Sequence, residues 1–144
     1  MSHLLIAIAL LAASNAERES VEFTKDSLEV VKQSVDDGKA VMVDVRSKEE
    51  WDKGHIEESL FLPVTSIRKG KYPPATTKVL PKDKVVYTFC VVGMRAKKAA
   101  AALVKEGYEV RALKPGYDEL IEAGFKKAET KKSGDENTRQ RNAG

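Results

Sequence analysis

The chain has little sulfur and little imidazole. Its 144 residues include one cysteine, Cys90, and two histidines, His3 and His55, which are far apart in sequence. A single cysteine cannot form an intramolecular disulfide, and it cannot build a metal site that needs several thiolates. Two separated histidines add too few ligands to complete a zinc centre. The composition therefore predicts no bound metal, and no motif requires another cofactor.

The chain also lacks a basic domain, although its formal net charge is +3. Residues 126–144 contain six basic and three acidic side chains, so residues 1–125 are neutral overall. Nucleic-acid binding would require a basic face on the folded part, and we expect no nucleic-acid partner. The segment 126–144 has no apolar periodicity and is predicted to be a disordered tail. Such a tail could dock on an acidic partner or an anionic membrane, but it is typical of simple solvation.

No apolar run is long enough to span a bilayer, which takes about 20 residues. The run 4–13 is wholly apolar, and Ser14-Asn15-Ala16 supplies the small residues that precede signal cleavage. We therefore predict a signal peptide over 1–16, with an uncleaved anchoring or packing helix as the alternative. The mature protein would be exported to a periplasm or secreted, without stable membrane insertion.

Residues 17–125 are predicted to form one domain in which strands alternate with helices. Continuous apolar runs indicate strands that are buried on both faces, and glycines end the helical patterns. This alternation predicts an α/β fold with a small parallel sheet covered by helices on both faces. A loop is expected at 72–74. The predicted strands are 20–24, 40–45, 59–62, 84–89 and 109–113, and the predicted helices are 28–35, 48–53, 65–69, 94–106 and 117–123.

The most informative segment runs from Val85 to Arg95 and contains the cysteine. Cys90 ends an apolar strand, and a short loop then leads into a strong helix former. The free amides and the dipole of a helix start favour thiolate over thiol, as does a nearby guanidinium. This environment predicts a nucleophilic sulfur, although a cysteine that ends a core strand can also be an inert packing residue.

Taken in order, these segments resemble the rhodanese family in its single-domain form. The similarity covers about residues 20–125. The segments that carry it are Asp44-Val45-Arg46, Glu50-Trp51, Gly54-His55-Ile56, Cys90-Val91-Val92-Gly93-Met94-Arg95, Ala102-Leu103, Gly107-Tyr108-Glu109-Val110 and Pro115-Gly116-Tyr117.

The resemblance implies a rhodanese-like domain with sulfurtransferase activity. A small anionic donor, thiosulfate or a persulfide, would give a sulfane sulfur to Cys90, and the persulfide would pass it to cyanide or a thiol acceptor. Asp44 and Arg46 would brace the site from the neighbouring strand, and Arg95 would lock the loop or attract the donor. Backbone amides would form the persulfide cradle, at Val91, Val92, Gly93, Met94 and Arg95.

Two other functions remain open at this point. Related phosphatases and arsenate reductases also place a cysteine and an arginine around an oxyanion, but their loop typically has one more residue than the four between Cys90 and Arg95. A non-catalytic binding module is the other alternative. The loop is also apolar at Val91, Val92 and Met94, so we expect weak binding of the thiosulfate dianion.

Overall fold

A computed structural model describes residues 21–70 and 80–129. The predicted signal peptide over 1–16, the loop at 72–74 and the part of the predicted tail beyond 129 lie outside these residues. Within the described ranges, no helix combines the length and the apolar character needed to cross a bilayer.

The described residues form a four-stranded, wholly parallel sheet with the strand order β2-β1-β3-β4. Strands and helices alternate along the chain, as the sequence pattern predicted, and the α/β class is confirmed. The strands are β1 (Ala40–Asp44), β2 (Ser59–Phe61), β3 (Val85–Phe89) and β4 (Val110–Ala112). The helices are α1 (Leu28–Asp36), α2 (Lys48–Lys53), α3 (Val64–Arg68), α4 (Met94–Lys105) and α5 (Tyr117–Glu122).

The sheet has an apolar cluster on each face, because successive side chains of a strand point to opposite sides. In β3, Tyr87 and Phe89 join the cluster that contains Val31 of α1 and Leu120 of α5. Val86 and Cys90 join the other cluster, which contains the alanines of α4. The alternation therefore places the thiol on the face that α4 covers.

Helix starts follow local sequence signals. Ser27 caps α1 by accepting a hydrogen bond from the Val30 amide. A capping box begins α2: the Ser47 hydroxyl accepts from the Glu50 amide, and the Glu50 carboxylate accepts from the Ser47 amide. Both arrangements satisfy amides that a helix cannot pair internally.

Strands β1 and β3 lie side by side, with Asp44 opposite Phe89. From β1 the chain proceeds to β2 on one side, and from β3 it proceeds to β4 on the other. In open parallel sheets, ligands bind beyond the carboxyl ends of the strands where the strand order reverses in this way. This topology brings the residues after Asp44 next to the residues after Phe89.

Two boundaries differ from the predictions. In the predicted strand 20–24, the described pairing is one parallel bridge, between Phe23 and Ala112. At the other end, the backbone of residues 126–128 pairs with that of residues 55–57. These hydrogen bonds give the start of the predicted tail a fixed position, so the described fold extends past the predicted boundary at 125.

Candidate active site

Cys90 lies directly after β3 and is fully buried. Its Sγ accepts a hydrogen bond from the Gly93 amide, with an N–S distance of 3.1 Å. Three apolar residues of the loop above it are exposed, at Val91, Val92 and Met94. The sulfur therefore sits beneath the loop, with one amide of the predicted cradle directed at it.

Gly93 can direct its amide inward because it adopts a left-handed backbone with φ of +89°. Side chains rarely tolerate that conformation. A Cβ at this position would also lie 2.7 Å from the Phe23 ring and 3.2 Å from the Lys114 carbonyl oxygen. Gly93 is the N-cap of α4, so the loop turns and the helix begins at the same residue. The start of α4 is thereby placed beside the sulfur, which the Gly93 amide reaches.

A second glycine holds the loop from the other side. Gly116 is buried, and a Cβ built on it would lie only 1.8 Å from the carbonyl oxygen of Val91. The adjacent Tyr117 amide donates a hydrogen bond of 2.8 Å to the Cys90 carbonyl oxygen. The segment before α5 is therefore in backbone contact with the start of the cysteine loop.

Arg95 is bound by a carboxylate from another element. Its Nη1 donates to Glu50 Oε1 at 2.6 Å, and its Nη2 donates to Glu50 Oε2 at 3.0 Å. This bidentate pair joins α4 to α2 and holds both groups, which are about one third exposed. The guanidinium therefore fastens the start of α4, at the end of the loop, to α2.

The Arg95 hydrogen bonds lower the pKa of Glu50 from an ordinary 4.5 to about 2. Because folding lowers this pKa, the pair's contribution to stability is complete above about pH 4.5 and disappears as the pH falls through about 2. We expect the free energy of unfolding of the wild type to fall more steeply over this range than that of Glu50→Gln. Urea denaturation at a series of pH values measures both curves. Parallel curves would show that the pair does not couple to folding.

Asp44 and Arg46 form a buried ion pair at the end of β1. Arg46 Nε contacts both Asp44 oxygens at 3.0 Å, and Nη2 donates to Asp44 Oδ2 at 2.8 Å. The same Nη2 donates to the Gly54 carbonyl, and the guanidinium lies 4.1 Å from the centre of the Tyr117 ring. Through these contacts Arg46 joins the end of β1 to the end of α2 and to α5. Removal of either partner would leave an uncompensated buried charge, which is strongly destabilising.

Two cavities flank the loop. One, of about 240 Å³, is lined by Arg95, Arg46 and Lys48, together with apolar atoms from Phe61, Pro63 and Val64. The other, of about 310 Å³, lies between Val91 and Val92 on one side and Lys114, Pro115 and Glu119 on the other. Cys90 lines neither of these two cavities.

Sequence reasoning missed two residues of this arrangement. Glu50 lies three residues after Ser47, as in a capping box, and this spacing gives no sign of its bond to Arg95, which is 45 residues away. Gly116 is part of the segment Pro115-Gly116-Tyr117, and no local signal indicates its contact with Val91. His55 stacks on Trp51 with ring centres 3.8 Å apart, which is a packing contact. Across 21–70 and 80–129, no three His, Cys, Asp or Glu side chains are grouped as metal ligands.

Comparison with known proteins shows the family of this chain. A family model for the rhodanese-like domain matches residues 27–123. The chain belongs to the rhodanese-like domain family, as the resemblance in the sequence indicated.

The similar proteins carry different names. The tRNA uridine(34) hydroxylase of Erwinia tasmaniensis is 36% identical over 76 residues, which are 52% of this chain and 21% of that protein. The mitochondrial protein HIGH ARSENIC CONTENT 1 of Arabidopsis thaliana is 32% identical over 90 residues, or 58% of this chain and 53% of that protein. The chain thus spans between about a fifth and about a half of the length of these two relatives.

Among solved structures, the human single-domain sulfurtransferase TSTD1 superposes with a TM-score of 0.57 at 28% identity. The match covers 67% of this chain and 94% of the human protein. The human protein, almost all of which is matched, is thus a sulfurtransferase with a similar fold.

Proposed function

We propose that this protein is a sulfurtransferase that carries a sulfane sulfur on Cys90. The observation that supports the proposal is the Gly93 amide, which donates to the buried Sγ at the start of α4. An amide in this position favours a negative charge on sulfur, and a thiolate is the nucleophilic form. Family membership and the similarity to a single-domain sulfurtransferase support the same reaction class.

The reaction is a pair of displacements at sulfur. The Cys90 thiolate attacks the outer sulfur of thiosulfate, the sulfur–sulfur bond of the donor breaks, and sulfite leaves with the bonding electrons. The product is a Cys90 persulfide anion, so atoms and charge balance. Cyanide or a thiolate then attacks the outer sulfur of that persulfide, and the Cys90 thiolate is released. An organic persulfide would react in the same way, with its thiolate as the leaving group.

The loop supplies the electrostatic part of the mechanism. A persulfide extends one atom beyond Sγ, and its outer sulfur would carry the negative charge. Backbone amides at a helix start stabilise an anion without a metal or a mobile side chain. Because Cys90 is fully buried, the loop must also open for each donor and acceptor.

Intact mass spectrometry tests the proposal directly. After incubation with thiosulfate or an organic persulfide, we expect a gain of one sulfur atom, about 32 Da, and its loss on addition of cyanide. The chain has one cysteine, so the added sulfur can be assigned to Cys90. A protein that takes up no sulfur from any donor would contradict the proposal.

Burial of Cys90 favours a second candidate, a non-catalytic rhodanese-like binding module. In that case the thiol only packs against the core, and the mass remains unchanged while the protein is folded. A phosphatase or arsenate reductase reaction would instead give phosphate release or arsenite without any sulfur adduct. Hydroxylation of tRNA is not part of the proposal, because the match covers only 21% of the hydroxylase.

We propose further that the protein is exported, on the basis of the apolar run 4–13 and the small residues before Glu17. The same mass measurement tests this point when the full chain is expressed in a host with a secretory pathway. Cleavage after Ala16 gives a protein that begins at Glu17, recovered outside the cytoplasm. Recovery of the full chain in the cytoplasm would contradict export.

A further inference from the structure

In the cavity that Arg95, Arg46 and Lys48 line, each cation is paired with a carboxylate. Arg95 is the only cationic residue in the loop from Cys90 onward, and both of its terminal nitrogens bind Glu50. Of the other cations that line the adjoining cavity, Arg46 is paired with Asp44 and Lys48 with Asp52. An anion entering this cavity therefore meets three guanidinium or ammonium groups whose charge is already balanced.

The surface above the sulfur is apolar. Within 21–70 and 80–129 there are five exposed large apolar side chains, and three of them belong to the loop. Val92 is 72% exposed and Met94 is 57% exposed. These side chains can contact the apolar body of a donor, but they give nothing to the sulfonate oxygens of thiosulfate, which need cations or hydrogen-bond donors.

The cavity of about 240 Å³ beside the loop is also partly apolar. Phe61, Pro63 and Val64 contribute an apolar wall, and Arg95 lies at the same cavity. Its volume of about 240 Å³ accommodates a six-membered ring or a short aliphatic group. The paired guanidinium still offers its flat face and edge, but its net charge with Glu50 is zero.

We propose that Glu50 is a specificity-determining residue that withholds Arg95 from dianionic donors. The site then prefers sulfane-sulfur donors that carry one negative charge and an apolar body, such as thiosulfonates or organic persulfides, over thiosulfate. This inference rests on the proposed sulfurtransferase function. Glu50 acts through Arg95 and does not touch the reacting sulfur atoms.

The chemistry of such a donor requires no additional reactant. With benzenethiosulfonate, the Cys90 thiolate attacks the terminal sulfur, the sulfur–sulfur bond breaks, and benzenesulfinate leaves with the electron pair. The enzyme product is the same Cys90 persulfide that thiosulfate gives. The two donors therefore differ in charge and in apolar surface, while the bond that breaks is of the same kind.

The test compares the two donors in steady-state assays with cyanide as the acceptor. In the wild type, we expect a lower KM for benzenethiosulfonate than for thiosulfate. Glu50→Gln keeps a group that can complete the capping box but removes the carboxylate charge. We expect it to lower the KM for thiosulfate roughly fivefold, as for one added charged hydrogen bond at a partly exposed site. The KM for benzenethiosulfonate should change by less than about twofold, because that donor depends less on charge.

Glu49→Gln is the matched control. Glu49 is exposed, precedes Glu50 in α2, and its side chain takes part in none of the hydrogen bonds or ion pairs of the described residues. The variant removes the same charge without freeing Arg95. We expect both KM values to remain within about twofold of the wild type, since isolated surface charges contribute little.

The outcomes separate this inference from the proposed function. If Glu50→Gln lowers kcat equally for both donors and leaves the ratio of their KM values unchanged, the pair only holds the loop and the inference is wrong. A fall in the thiosulfate KM of Glu49→Gln equal to that of Glu50→Gln would also overturn it. A wild type that accepts sulfur from neither donor would contradict the sulfurtransferase proposal itself.

Discussion

Cys90→Ser should abolish sulfur transfer while the fold is retained. A serine hydroxyl is far less acidic than a thiol and cannot form a persulfide, so we expect cyanide-dependent turnover to fall by at least about a thousandfold. The smaller oxygen can still accept the Gly93 amide that now reaches Sγ. We therefore expect the free energy of unfolding to change by only about 1 kcal/mol. Thiocyanate formation and urea denaturation measure the two effects.

The role of the sulfur atom follows from the stability and the turnover of the Cys90 variants taken together. A folded Cys90→Ser protein without activity assigns the chemistry to the sulfur atom. Cys90→Ala is a useful second variant, because it removes the polar atom and leaves the Gly93 amide without its acceptor. Retention of more than a tenth of wild-type turnover by either folded variant would show that another group carries the reaction.

The second large effect is expected from Gly116→Ala. A Cβ at this position would overlap the Val91 carbonyl oxygen, at 1.8 Å, and the neighbouring backbone atoms. Either the cysteine loop or the start of α5 must shift by more than an ångström. We expect a loss of about 3 kcal/mol in the free energy of unfolding, as for overpacking of a buried site. We also expect a fall of about a hundredfold in kcat/KM, because misplacement of this size is costly in catalysis.

Gly38→Ala is the matched control for Gly116→Ala. Gly38 follows α1, far along the chain from the loop, and has φ of +70° with no atom within 4 Å of an added Cβ. This variant should lose about 1 kcal/mol from backbone strain and keep its full activity. Gly116 has an ordinary φ of −96°, so its loss must come from contact with Val91. Equal activity in the two variants would contradict the proposed role of the contact.

These two variants test different parts of the site. Cys90→Ser changes the reacting atom within an unchanged loop, whereas Gly116→Ala changes the loop and keeps the reacting atom. A donor-dependent change in KM, as expected for Glu50→Gln, is a third kind of result, because that variant changes the charge beside the loop and keeps the reacting atom. The sulfur, the loop backbone and the flanking charge can thus be examined one at a time.

Much of the fold could be predicted because its signals are local. The apolar run at 40–45 indicates a buried strand, and the run at 85–89 delivers Cys90 to the start of α4. The capping box of α2 follows from residues three apart. In each case the hydrogen bonds and packing that form the element depend on neighbours in the chain, and the sequence displays them.

The limits of the fold were harder to predict. Residues 126–128 have basic, aperiodic sequence, yet their backbone pairs with that of residues 55–57. Backbone hydrogen bonds require no particular side chains, so composition gives no sign of this pairing. In the predicted strand at 20–24, the described β-pairing is a single bridge at Phe23.

The sequence by itself determined the alternation of strands and helices, the position of Cys90 at the end of a strand, and the glycine that turns the loop. These features depend on residues close together in the chain. Only the tertiary structure decided that Glu50 holds Arg95, that Gly116 contacts Val91, and that the thiol is fully buried. Those contacts arise when separate helices and strands pack at the carboxyl edge of the sheet, and packing depends on the whole chain at once.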